Sequence, residues 1–267
     1  MFLCQRYLPC YDLAVNTGIS FKDLFSRQSA EYSKFRPTYP AKLFQYLSSL
    51  VDGHSLAWDV GTGNGQAAIA LADPFDRIVA TDPSAKQISG AQRHPKVEYR
   101  VGSAEKPAFA DASVDLITSA QAFHWFNQDD FFAGAHRVLK SGGVLAFWSY
   151  GLAKISPEVD AVVLKLYRDR LGGYWEPERK LVEEGYKNVR LPTGLKEITP
   201  PAFEMTAEWS LEHLLGYLGT WSAFQTYLEK NHSNPLEAIF PELRAAWRET
   251  KMRPIRWDLA LRVGRKM

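Results

Sequence analysis

A chain of 267 residues with 46% hydrophobic and 23% charged side chains can bury a full core, which sets aside disordered and fibrous classes. Its 32 basic and 30 acidic side chains leave a formal charge of +2, so no single-sign field favours nucleic acid as a partner. No apolar run reaches the length of a bilayer span, which argues against a membrane protein.

Residues 1–20 show no clean hydrophobic period and read as a poorly ordered N-terminal extension, with residues 21–267 forming one domain. Arg6 is the only early positive charge, and Gln5, Pro9 and Asp12 interrupt the apolar residues, so a cleaved signal is not expected. Cys4 and Cys10 have no histidine cluster near them. They form neither a disulfide framework nor a zinc site, and a reducing, cytoplasmic setting follows. An amphipathic helix is predicted from Phe21 to Arg36-Pro37, where proline disfavours helix in the preceding residue. Pro40 opens another, through Leu43, Phe44, Leu47 and Leu50.

Strands and helices then alternate. Predicted strands are Ser55–Val60, Arg77–Thr81, Val97–Val101, Val114–Thr118 and Val144–Trp148. Between them lie helices at Gln66–Leu71, Ser84–Arg93 (with Ser84 as cap) and Gln128–Leu139. The pattern predicts a doubly wound, mostly parallel α/β sheet. After Tyr150 it changes. Helices are predicted at Pro157–Leu171, Pro177–Glu184, Leu211–Leu218, Ala223–Lys230 and Leu236–Arg248, so helical insertions near 151–187 and 209–250 roof the sheet. Val189–Leu191 and Phe203–Ala207 compete as the sixth strand, and Ile255–Val263 is the last.

The chemistry gathers at predicted strand ends. Trp58-Asp59-Val60-Gly61-Thr62-Gly63-Asn64-Gly65 joins a buried strand to a helix through glycines at alternate positions. Missing Cβ atoms let a ligand approach the backbone, and the helix amides that follow favour oxygen-rich groups. A dinucleotide motif needs glycine at its sixth position, where Gln66 stands. Glycine at first, third and fifth, with Asp59 two residues earlier, points instead to S-adenosylmethionine. Asp82 ends the second strand, placed to accept the hydroxyls of a ribose. Gly102-Ser103-Ala104-Glu105 follows the third, where an adenine would be read. Ser119 to Phe126 follows the fourth and contains Gln121, His124 and Trp125. His124 could orient or deprotonate an acceptor. The Asn/Asp-Pro-Pro-aromatic tetrad of many amine and nucleobase methyltransferases is absent there.

These motifs, with Phe25, Tyr32, Arg36-Pro37-Thr38-Tyr39-Pro40, Gln121 to Phe126 and Val138-Leu139-Lys140-Ser141-Gly142-Gly143, resemble class I S-adenosylmethionine-dependent methyltransferases of the type 11 group. More closely, the chain is similar to the trans-aconitate methyltransferase-like proteins. The resemblance covers Phe21 to Tyr150 and implies a seven-stranded Rossmann-like methyltransferase fold with a helical cap. It implies Tyr32 and Arg36 over the methionine end of the cofactor, and Trp221 in a cap that borders the acceptor. The expected cofactor set is Tyr32, Arg36, Asp59, Gly61, Gly63, Gly65, Asp82, Ala104, Glu105 and Gln121. The expected acceptor pocket is His124, Trp125 and Trp221, with His124 the catalytic candidate and no metal. The implied reaction is in-line methyl transfer to an oxygen, nitrogen or carbon nucleophile of a small-molecule acceptor, a carboxylate or hydroxyl oxygen among them. The alternatives are a tRNA or protein methyltransferase, or a non-catalytic S-adenosylmethionine-binding protein.

Overall fold

The structure, a computed structural model, describes residues 35–267. The N-terminal extension, Cys4, Cys10, Phe25, Tyr32 and nearly all of the helix predicted from Phe21 lie outside the described residues.

Strands β1 (Ala57–Val60), β2 (Ile78–Asp82), β3 (Val97–Val101), β4 (Val114–Ala120) and β5 (Leu139–Tyr150) run parallel in the order β3-β2-β1-β4-β5. β1 and β2 are buried along their whole length and β4 along all but its last residue. This is why they read as apolar runs rather than alternating strands. Two-residue periodicity then sends neighbours to opposite faces. Ala57, Ile78, Ala80, Leu116, Ala146 and Trp148 meet helices α1 (Ala41–Ser49) and α2 (Gln66–Leu71) on one side. Trp58, Val60, Ile117, Leu145 and Phe147 meet α4 (Gln128–Val138) on the other. Helix α3 (Ala85–Ser89) is shorter than the predicted Ser84–Arg93 because Gly90 stops it, but Ser84 caps it as expected by accepting from Gln87 N at 3.2 Å.

The long strand β8 (Arg253–Lys266) lies antiparallel to β5. Its outer edge carries two segments in sequence: β6 (Leu195–Ile198) and β7 (Phe203–Trp209). Thr199-Pro200-Pro201-Ala202 separates them, and proline cannot donate to the ladder. The sheet thus has seven positions across, with the seventh split in two. Val189–Leu191 is not a strand; Phe203–Ala207 is, which resolves the predicted ambiguity.

The remaining helices are α5 (Pro157–Lys165), which continues into a wider turn at Leu166–Arg170, α6 (Arg179–Glu183), α7 (Leu211–Gly219), α8 (Ser222–Asn231) and α9 (Pro235–Trp247). α5, α7, α8 and α9 share one apolar cluster with Met205, Trp209, Ile255 and Trp257 of β7 and β8. Among the described residues, no helix is long and apolar enough to cross a membrane.

Candidate active site

Strand order reverses between β1 and β4, and a parallel sheet opens a crevice at such a point, beyond the carboxyl ends of its strands. The glycine turn sits there. Gly61, Gly63 and Gly65 have φ of 66°, 56° and 88°, the left-handed region that glycine enters without steric cost. A side chain at Gly61 would collide with the Ala122 methyl group, so this turn packs directly against the loop after β4. At Gly63 the opposite holds. A Cβ there would meet nothing within 4 Å, leaving the backbone open to the cleft.

Two carboxylates shape the turn from different sides. Asp59 is completely buried beneath it and accepts from Thr62 Oγ1 at 2.6 Å and from Thr118 Oγ1 at 2.7 Å. Burial raises its pKa to about 6 despite these bonds, with the charge of Asp82 adding to the rise. Asp82, at the end of β2, accepts from Gly63 N and Ser84 N, both at 2.9 Å. It therefore fixes the turn as well as lining the cleft.

That cleft encloses about 1230 Å³, its open mouth included. Its walls include Arg36, Gly61, Gly63, Asp82, Ala104, Glu105 and Gln121 from the predicted cofactor set. Asp59 and Gly65 are not in the wall. Asp59 supports the turn from below, and Gly65 lies against the Tyr99 hydroxyl with no room for a side chain. Glu105 also accepts from Asn127 N at 3.1 Å, which ties it to the start of α4. The open backbone at Gly63, the acid at the end of β2 and the cation Arg36 at the rim form a cradle that fits S-adenosylmethionine.

A second, smaller cavity adjoins the first, sharing Arg36, Gln121, Trp125 and Tyr150 with it. Gln121 takes φ 55°, costly for a side-chain-bearing residue, and its Nε2 donates to Tyr150 O at 3.1 Å. Arg36 donates to Thr220 O at 3.0 Å and to the Tyr150 hydroxyl at 3.3 Å, with its guanidinium 5.4 Å from the Tyr217 ring centre. Trp175, Glu176 and Arg179 close the inner cavity from the α6 side, and Trp221 and Ser222 from the start of α8. His124 lines it, 8% exposed, with Nδ1 3.0 Å from the Tyr186 hydroxyl. Burial, helped by the positive charge of Arg179, holds its pKa down at about 3, so the imidazole is neutral near pH 7.

The predicted acceptor trio His124, Trp125 and Trp221 is thus brought together in one wall. Sequence reasoning missed Trp175, Glu176, Arg179 and Tyr186. The available signal was local: Gly172-Gly173-Tyr174-Trp175 breaks the helix ahead of α6, and Arg179 follows Trp175 by four residues. The guanidinium lies 4.9 Å from the Trp175 ring centre, and its Nε donates to the Tyr167 hydroxyl at 3.0 Å. Among the described residues no group of three or more His, Cys, Asp or Glu is arranged to hold a metal.

Sheet order, glycine turn and paired cavities together define a class I S-adenosylmethionine-dependent methyltransferase. Comparison with known proteins agrees: a methyltransferase-domain family model matches residues 58–147. A Dictyostelium discoideum protein named as a methyltransferase is 36% identical over 88% of this chain and 90% of its own length. A Saccharomyces cerevisiae protein named as an S-adenosylmethionine-dependent methyltransferase is 27% identical over 78% of this chain and 83% of its own. The solved structure of an Anaeromyxobacter dehalogenans protein named as a type II methyltransferase is 43% identical, with a TM-score of 0.80 over 86% of this chain and 98% of that one. The chain belongs to the S-adenosylmethionine-dependent methyltransferase family.

Proposed function

We propose that this enzyme methylates an oxygen of a small organic acid held in the inner cavity, with S-adenosylmethionine in the glycine-lined cleft. The observation that carries the reading is Arg179, a guanidinium that lies against the neighbouring rings of Trp175 and Tyr167 in the wall of that cavity. Arg179 is the cation that this cavity offers an anionic guest, since Arg36 also borders the cofactor cleft, and Glu176 is the one carboxylate in its lining. The rings of Trp125, Trp175, Tyr217 and Trp221 supply flat apolar walls for its body. The resemblance to trans-aconitate methyltransferase-like proteins points the same way.

In this reading Arg36 meets the cofactor's carboxylate, Asp82 its ribose hydroxyls, and the backbone around Ala104 its adenine. The cofactor supplies a methyl group already activated on a sulfonium, so the chain's own task is alignment and exclusion of water. Alignment alone is worth about 7–11 kcal/mol in well-oriented reactions. Gln121, Trp125 and Tyr150 line both cavities, which suits them to hold the two reactants in register.

The test is transfer of labelled methyl from S-adenosylmethionine to a panel of small mono- and dicarboxylic acids and phenols. Label in a base-labile methyl ester is expected. Label confined to base-stable ethers, to protein or to RNA would overturn the reading.

A further inference from the structure

Arg179 and Glu183 stand four residues apart in α6, the spacing at which opposite charges on a helix meet. Lys180 and Glu184, one position further on, do reach each other, at 3.8 Å. Arg179 and Glu183 do not. The Tyr167 hydroxyl stands between them, accepting from Arg179 Nε at 3.0 Å and donating to Glu183.

The backbone explains how the phenol comes to lie there. Tyr167 belongs to the wide turn at Leu166–Arg170, where the Leu171 amide passes over the Tyr167 carbonyl and bonds to Leu166 O at 3.0 Å. Wide turns of this kind inside helices are frequent at functional sites. The Tyr167 carbonyl, released from the helix ladder, accepts from Trp175 Nε1 at 3.1 Å. The ring is buried, edge-on to Trp221 and 4.6 Å from the Trp175 ring centre. Burial pushes its phenol up to about 12, so at neutral pH the hydroxyl keeps the hydrogen that it donates to Glu183.

We propose that Tyr167 is a positioning residue for the acceptor: its hydroxyl intercepts the Arg179–Glu183 ion pair and so keeps the guanidinium open to a carboxylate in the inner cavity.

A guanidinium carries its N–H donors in a fixed fork. Tyr167 takes the Nε hydrogen, and among the described residues the Nη groups donate to no other side chain or carbonyl. That end of the fork matches the two oxygens of a carboxylate. Arg179 lines the inner cavity, and its charge is felt by His124 in the same lining. A direct pair with Glu183 would occupy the fork and offset its charge, whereas a neutral phenol engages one nitrogen and leaves the charge in place. The inference rests on the proposed acid acceptor, but the hydrogen bond itself is measured without one.

The experiment is nitrogen-15 NMR of the arginine Nε–H groups in the full chain, the Arg179 signal being identified by its loss in Arg179→Met. A hydrogen-bonded Nε–H exchanges slowly with water, so the signal should persist at neutral pH. It should move in Tyr167→Phe, which keeps the ring and the backbone bond to Trp175. Titrating the S-adenosylhomocysteine complex with benzoate and glutarate reads the consequence. In Tyr167→Phe, carboxylate affinity should fall about tenfold, the scale of one hydrogen bond to a charged group, with S-adenosylhomocysteine affinity within about twofold of wild type. Adding Glu183→Gln should restore carboxylate affinity to within about threefold, because an uncharged amide no longer competes for the guanidinium. A signal that stays in place in Tyr167→Phe, or carboxylate affinity that stays at wild type, overturns the inference. So does a loss that Glu183→Gln does not restore, since packing damage would survive that second change. Carboxylates that fail to bind the wild-type chain, with the NMR response as expected, would leave the interception standing and count against the proposed function.

Discussion

Removing the Asp82 carboxylate tests whether the glycine turn is held from β2. Its two oxygens satisfy the amides of Gly63 and Ser84, each at 2.9 Å. Asp82→Ala leaves both donors without that partner. An unsatisfied buried donor costs about 1–3 kcal/mol. Ser84 is buried and bears the full cost, whereas Gly63 opens to the cleft, where water can replace part of the loss. A total of about 2–4 kcal/mol follows. At roughly 2–4 °C per kcal/mol for a chain near this size, the melting temperature should fall by about 4–16 °C. Affinity for S-adenosylhomocysteine should fall at least about tenfold, equivalent to ~1.4 kcal/mol. Differential scanning calorimetry and isothermal titration measure the two effects on one preparation. A variant that binds as tightly and melts as high as wild type would refute the reasoning. One that melts lower but binds normally would leave Asp82 as a strut alone.

Gly61→Ala drives a methyl group into Ala122 and requires left-handed backbone from alanine, so the urea midpoint should drop and S-adenosylhomocysteine binding should weaken by more than about tenfold. Wild-type binding would show that the turn can move aside. Arg179→Met keeps much of the stem that packs on Trp175 but loses the charge; KM for an acid acceptor should rise about tenfold or more with cofactor affinity unchanged. Equal losses for acidic and neutral acceptors would argue that Arg179 only packs. His124 makes folding pH-dependent with a defined sign. Its folded pKa of about 3 lies below the ordinary 6.5, so its contribution is present above pH 6.5 and is lost as pH falls toward 3. Asp59, raised to about 6, works oppositely between about pH 4 and 6, so stability must be compared with a His124→Gln variant. That variant should lose less stability on acidification than wild type, and parallel curves would contradict the burial account.

The sheet was legible because its physics is local. Continuous burial makes β1, β2 and β4 read as apolar runs and Asp82-Pro83 ends β2, whereas Ser141-Gly142-Gly143, which reads as a turn, lies within β5. The outermost strand was ambiguous because Pro200-Pro201 splits it: β7 alternates over Phe203–Trp209, but the four residues of β6 carry no period of their own. At the site, Asp82, Gly63 and His124 follow strands and could be read from spacing. Arg179 and Tyr186 could not, because the fold of the insertion between β5 and β6 brings Arg179 to the inner cavity and packs Tyr186 behind His124. The glycine motif also misled in one respect. It marked Asp59 as a ligand group, whereas the residue is buried under the turn and bonded to Thr62 and Thr118.

The central claim is a division of labour between two adjoining cavities, and a crystal structure of the full chain grown with S-adenosylhomocysteine tests it most directly. The account predicts the ligand along Gly63, Asp82 and Ala104, with its sulfur turned toward Gln121 and the inner cavity still free for an acceptor. A ligand seated instead among Trp175, Arg179 and Trp221 would contradict it.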